Sequence, residues 1–342
     1  MGFFDRLFGT KPTISDRLNS ISLNHDQEIR VMPSELASDL LDVLDQLSGG
    51  VHPGFRPVHA KGVMYSGTFT PSADAATLTR APHAVSASTP VIVRFSVSAG
   101  IPTIADNDAT GSSPQAMAVR FHLGDHVHTD IIAHSHNGFP TRTGEEFLEF
   151  IRAVASSGLG ASSPPPIVAF LAAHPSAKAF VEAPKPIPSS FARQAYFAVT
   201  AFKFTSADGQ SRFGRFRLRP EPGTEFLSPE QAKEKTADFL AAEMSERLAR
   251  GPVEFRVLVQ VAEDADDVTN STAIWPETRQ LVAFGTVTVI ERVDELAPER
   301  RKIIFDPVPR VDGIESAGDP LTEVRSDLYL LSGRRRRADA AK

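Results

Sequence analysis

The chain has 342 residues, 41% of them apolar and 23% charged, which is an ordinary globular composition with enough material for a sizeable core in one or two domains. A net charge of −6 gives no support for a general nucleic-acid surface, and the absence of cysteine excludes disulfides and thiolate ligands. No apolar run approaches the ~20 residues that a membrane-crossing helix needs, and no signal-peptide pattern is seen, so the expected location is cytoplasmic.

Residues 1–33 read as an N-terminal extension. Its start, MGFFDRLFGTKP, places Phe4, Leu7 and Phe8 on one face of a short amphipathic helix. That helix either docks on its own domain or touches a membrane surface or a partner through residues 1–12. Arg6 stands where a myristoylation motif needs Ser or Thr. Next, MPSELASDLLDVLDQLSGG carries Leu36, Leu40, Leu44 and Leu47 at helical spacing and ends in glycines.

Eight segments read as strands, roughly 58–70, 90–98, 115–123, 126–134, 196–205, 212–220, 253–262 and 281–290. VEFRVLVQVA is the clearest, with Val253, Phe255, Val257, Val259 and Val261 on one face at period two. Asp208-Gly209 reads as a hairpin turn between the fifth and sixth. Two more helices are expected. Thr143 and Glu146 form a capping box ahead of a Phe147, Phe150, Ile151, Val154 stripe. Ser228, Pro229 and Gly251 bound a single helix whose buried ridge is Leu240, Met244 and Leu248.

Strands that do not alternate with helices argue against a doubly wound parallel sheet. Two groups of four strands predict an antiparallel barrel with helices packed outside it, the Pro- and Ser-rich segment 155–190 crossing between them. One domain over residues 34–332 is expected. The basic run GRRRR, Gly333 to Arg337, opens a solvated tail over 333–342.

Ten histidines are the first candidates for chemistry. His126, His128, His134 and His136 share one parity, so an unbroken strand would project them on one face as a histidine-liganded metal site. His59, just before the first strand, could be a satisfied core residue, which is the usual reading of a lone histidine, a metal ligand or a proton shuttle. A haem is the other option. With no cysteine its axial ligand could be one of three tyrosines, Tyr65, Tyr196 and Tyr329. Tyr329 has Arg325 four residues earlier, at helical spacing, which would favour the phenolate; a surface helix pair is the plain alternative.

VHAKGVMYSGTF, PVIVRFSVSAG, SPQAMAVRFHLGDH, FDPVPRVDGI and RSDLY follow one another in the order seen in haem catalases. Over residues 50–332 the chain resembles the short branch of that superfamily called catalase-related peroxidases. The resemblance implies an α+β fold: an eight-stranded antiparallel barrel with surrounding helices and a buried haem b. It implies His59 as the distal histidine, Ser96 as the serine bonded to it, and Tyr329 as the iron ligand with Arg325 as its charge partner. Arg56 and Arg94 match propionate-binding arginines, and Phe139 matches an aromatic stacked on the haem. Two positions depart from the pattern. His134 stands where an asparagine is expected, with Asn137 three residues away, and Gln115 stands where large catalases have an arginine.

The implied activity is a haem peroxidase that reduces hydrogen peroxide or an organic hydroperoxide through a ferryl haem, with weak catalase activity. His59 would move the peroxide proton, and His134 would be either a neutral replacement for the asparagine or a second shuttle titrating near neutrality. Expected partners are peroxide and an organic electron donor, with a second copy of the chain as a further candidate and no nucleic acid. The competing readings are a haem-binding protein without turnover and a His-liganded metal barrel.

Overall fold

The computed structural model describes residues 34–340, which fall in one unit that begins at Ser34. The expectations for residues 1–33 lie outside the described residues. Among the described residues ten strands are present: β1 Gly62–Pro71, β2 Thr89–Val97, β3 Gln115–Gly124, β4 Val127–His134, β5 Tyr196–Phe197, β6 Phe202–Thr205, β7 Ser211–Pro220, β8 Val253–Val261, β9 Leu281–Val293 and β10 Ile314–Ser316. Six of the described helices have eight residues or more: α1 Glu35–Leu47, α2 Gly144–Ala155, α3 Pro166–Ala173, α4 Pro175–Glu182, α5 Phe239–Leu248 and α6 Pro320–Ala340. None of the described helices is long and apolar enough to cross a membrane.

All neighbouring strands pair antiparallel. The order β5-β4-β3-β2-β1-β9-β8 is closed by β7, which bonds β8 along one edge and β5 and β6 along the other. Counting β5 and β6 as one interrupted strand gives an eight-stranded antiparallel barrel with helices outside it. The interruption sits in the predicted strand 196–205. Four residues, Ala198 to Ala201, face two of β7, between Phe197↔Arg217 and Phe202↔Gly214. Arg217 Nη1 takes the Ala198 carbonyl at 3.0 Å, and Thr200 receives a hydrogen bond from Arg325 at 3.0 Å. The bulge therefore turns Thr200 toward the helical layer, while Ala198 stays with the barrel core.

Period two decides what each face does. The odd positions of β2, Val91, Val93, Phe95 and Val97, are fully buried with Tyr65, Phe69, Phe121, Phe255 and Phe284 in the barrel core. Of the even positions, Arg94 and Ser96 face Leu40, Leu44 and Leu328, which belong to a second apolar cluster built from α1, α2 and α6 with Leu148 and Ile151. Helix α2 starts as expected on Thr143, whose hydroxyl accepts from Glu146 N at 3.2 Å, while Glu146 Oε2 reaches back to Arg142 N at 2.9 Å.

Two expectations are corrected. The single helix predicted over 228–251 is two, Pro229–Lys233 and α5. Asn107 Nδ2 takes the Ala232 and Lys235 carbonyls, Lys61 Nζ takes that of Ala237, and Asp106 Oδ2 caps Leu240 N. Side chains from elsewhere satisfy the broken turn, so the break costs little. Nor is GRRRR a solvated tail. It continues α6, and Arg336 is buried, donating to the Arg301 and Ile303 carbonyls. A Cβ at Gly333 would lie 2.2 Å from Ile304, so this glycine lets the helix pass close under the 302–306 segment.

Candidate active site

The even positions of three adjacent strands line up across the sheet. Ser96 pairs with Ala116 and Ala116 with His134; Arg94 pairs with Ala118 and Ala118 with Ile132. Two polar rows thus have alanines at their centre, and the missing side-chain volume opens a cavity between the sheet and the helices. Val58, Phe139, Phe147, Phe305 and Val324 add apolar walls, and α6 closes the opposite side with Leu321, Arg325, Leu328, Tyr329 and Arg336. With Ser332 between Tyr329 and Arg336, the lining residues return at each turn of α6, so one helix face serves the whole cavity.

His59 enters from the segment before β1. Its backbone is left-handed, with φ 55°, an unusual conformation for a residue other than glycine. Bonds from its N–H to the Ser98 carbonyl (3.0 Å) and from Ala60 N to the Ala99 carbonyl (3.1 Å) fix it there. Ser96 Oγ lies 3.2 Å from its Nδ1, leaving Nε2 for the cavity. Burial, followed by the charges of Arg94 and Arg56, lowers its pKa to about 3. The imidazole is therefore a neutral proton acceptor throughout the neutral range.

His134 ends β4 in the same cavity. Its Nδ1 accepts from the His136 backbone N–H at 3.3 Å. Burial and the neighbouring His136, Arg325 and His59 lower its pKa to about 3. The expectation that it titrates near neutrality is thereby corrected: no carboxylate lines this cavity to stabilise an imidazolium.

At one end stand three guanidiniums. Arg56 Nη1 and Arg94 Nε share one oxygen of Glu295, at 2.6 and 2.8 Å, and Arg336 lies near enough to repel Arg94. Burial would raise the Glu295 pKa, yet Arg94 and Arg56 hold it at about 2. Arg56 is pushed down by burial and by Arg94, and its Nη2 is buried without a partner. A single carboxylate against three arginines leaves two positive charges uncompensated in a partly dry site. The glycine of the HAKG stretch belongs to this end. A Cβ at Gly62 would meet the Arg94 guanidinium at 2.5 Å. Its lysine braces the loops instead, bonding Asp106 and Asp238 at 2.8 Å each.

On the helix side, Arg325 Nη2 lies 3.4 Å from the Tyr329 hydroxyl. Burial works against the Arg325 charge, but the adjacent Tyr329 oxygen outweighs it and raises the pKa. The guanidinium is thereby held against the phenol oxygen on the cavity wall. The cavity thus offers a neutral imidazole from the segment before β1, a phenol from the helix, and an anion-deficient end. Residues 53–340 match the sequence model of the catalase family. The chain belongs to the catalase family. It is similar to the catalase-related peroxidase of Mycolicibacterium paratuberculosis, 35% identical over 288 residues that cover 83% of this chain and 90% of that protein. That of Synechococcus elongatus is 31% identical over 296 residues, covering 85% and 86%. In fold the chain matches the crystal structure of a fungal catalase with TM-score 0.73 at 20% identity, over 87% of this chain and 62% of that longer one.

Of the residues singled out in this catalase-family sequence, Arg56, His59, Arg94, Ser96, His134, Phe139, Arg325 and Tyr329 all line the one cavity. The four-histidine metal site does not assemble. His126 occupies the β3–β4 turn with φ 60°, His128 pairs across the sheet with His122, and His136 packs against Phe180 outside the cavity. Among the described residues no group of three or more His, Cys, Asp or Glu is placed to hold a metal ion. Gln115 also stays out of the cavity, bonding Ser112 and Ser135. Glu295 and Arg336 were missed. Arg336 lies seven residues after Tyr329, two helical turns along, a spacing that is informative only once the helix is known to continue.

Proposed function

We propose that this chain is a haem-dependent peroxidase that reduces hydrogen peroxide or an organic hydroperoxide at the expense of an organic donor, and evolves oxygen only weakly. One observation carries the reading: His59 and the Arg325–Tyr329 pair reach a single apolar cavity from opposite walls, although 270 residues separate them in sequence. The donor set fits a haem. Tyr329 would supply an oxygen ligand to the iron and Phe139 an aromatic face. Arg56, Arg94 and Arg336 carry two more charges than Glu295 neutralises, which matches two propionates. When bound, the haem supplies the iron and the redox chemistry of the peroxide reaction.

The protein's own part is proton handling and positioning. His59 Nε2 takes the proton from one peroxide oxygen and returns it to the other, so the leaving oxygen departs as water. Ser96 holds the ring through Nδ1, and the arginine-rich surroundings keep it deprotonated until called on. Arg325 holds its guanidinium against the Tyr329 oxygen and fixes its position. His134 is wider than an amide side chain and carries no charge at working pH, so it narrows the sheet side of the cavity without adding a second acid. Slow ordering of a second peroxide favours donor oxidation.

The test compares oxygen release with donor oxidation at equal peroxide. Donor oxidation is expected to outpace oxygen release, and His134→Asn to shift the ratio several-fold toward oxygen. Vigorous oxygen evolution by the unmodified protein, undiminished by added donor, would refute the peroxidase reading.

A further inference from the structure

A second cavity of about 200 Å³ lies just beyond the end of β4. The two cavities share a wall only three residues long. His134 lines the first, while Ser135 and His136 line the second. That wall is fixed: Ser135 N donates to the Gln115 carbonyl at 2.8 Å, and His136 N donates to the His134 ring. The second cavity pairs aromatic faces with a cation. Phe180 meets the His136 ring edge-on at 4.7 Å, and Phe226 lines it while remaining 42% exposed. Lys185 Nζ spends one of its three donors on the Val181 carbonyl. No carboxylate lines the cavity. The adjacent acids are engaged, Glu182 lying 4.0 Å from Lys178 and Glu225 bonded to Ser189 and 3.7 Å from Arg193.

We propose that this second cavity binds the reductant, and that its ligand is a single-ring phenol bearing a carboxylate. The volume lies below the ~300 Å³ at which drug-sized pockets begin, so it suits one ring and not two. The ring lies against Phe180 and Phe226, with its carboxylate on Lys185 as an uncompensated cation requires. The chemistry rests on the peroxidase reading; the binding site does not. For each peroxide, two phenols give up one electron and one proton apiece. The two electrons and two protons complete cleavage of the oxygen–oxygen bond to two waters and leave two aryloxyl radicals. Each electron crosses only the His134–His136 segment to reach the reaction cavity.

The experiment is calorimetric titration of the haem-loaded protein, without peroxide, with 4-hydroxybenzoate and with its uncharged methyl ester. The acid is expected to bind at least tenfold more tightly than the ester. Lys185→Glu should abolish that preference, and Phe226→Ala should weaken both ligands several-fold. Both side chains reach solvent, so neither change threatens the core. In turnover, both variants should raise KM for 4-hydroxybenzoate and leave KM for peroxide unchanged. If the protein binds the acid through Lys185 but consumes no peroxide, the site stands and the peroxidase reading fails. If peroxide turnover is normal while Lys185→Glu and Phe226→Ala leave affinity and KM for the acid unaltered, the second-cavity assignment is overturned.

Discussion

The two faces of β2 are one residue apart and do opposite work. Phe95 points into the barrel, within 6 Å of the rings of Phe191, Tyr196 and Phe255. Arg94 and Ser96 point out, toward His59, Glu295 and the helical layer. The inner face is saturated with its own kind and gains from packing density alone. On the outer face, groups are gathered whose charges are not balanced locally and whose space is left open at Ala116 and Ala118. A protein can hold such an outer face only because the inner face is rigid. Stability and chemistry are therefore expected to separate between neighbouring residues.

The largest expected contrast uses that adjacency. His59→Ala should slow the reaction with peroxide by about 10²–10⁴-fold, the usual worth of a positioned acid–base group, with haem retained. Urea melts should place its stability close to that of the unmodified protein, because the replaced ring faces a cavity. Phe95→Ala should do the reverse, costing about 3–5 kcal/mol in the same melts while the surviving folded fraction reacts normally. If the two variants gave similar profiles, the two faces would not be separable.

A smaller effect depends on protons. His59 and His134 are held at about 3, and His83, enclosed by Phe69, Phe121 and Phe284 inside the barrel, at about 4, in each case chiefly by burial. In the unfolded chain each titrates near ~6.5. Below that pH the unfolded state binds more protons, so stability is lost as pH falls from about 6.5 toward 4; these three contribute a slope approaching three protons, to which His122, His128 and His136, also lowered chiefly by burial, add. Urea melts of the haem-free protein at stepped pH read this slope. His83→Phe should remove one proton from it and leave the outer face untouched. A slope unchanged by that substitution would remove His83 from the account.

The same contrast explains what the sequence made legible. The inner face follows period two, so the eight strands and the Asp208-Gly209 hairpin could be read from alternation and turn chemistry. Tyr329 and Arg325 were visible because they are four apart on one helix. Glu295 was not, since its meaning depends on two arginines some 200 and 239 residues away. Arg336 looked like tail because four consecutive arginines normally seek water, and only the close pass of α6 under Ile304 buries it. The break at 234–238 was hidden because its compensation comes from Lys61, Asp106 and Asn107. His134 misled in a different way. The residue type suggests titration near neutrality, whereas its surroundings contain cations and no acid.

The central claim is that sheet and helix present opposite walls of one haem site, with Tyr329 as the ligand. Visible absorption of the haem-loaded protein tests it most directly, in the unmodified chain and in Tyr329→Phe, before and after peroxide. The account predicts a high-spin ferric spectrum that changes on peroxide addition, and a variant that loses haem or moves to a different ligation state. An identical spectrum in the two proteins would contradict it.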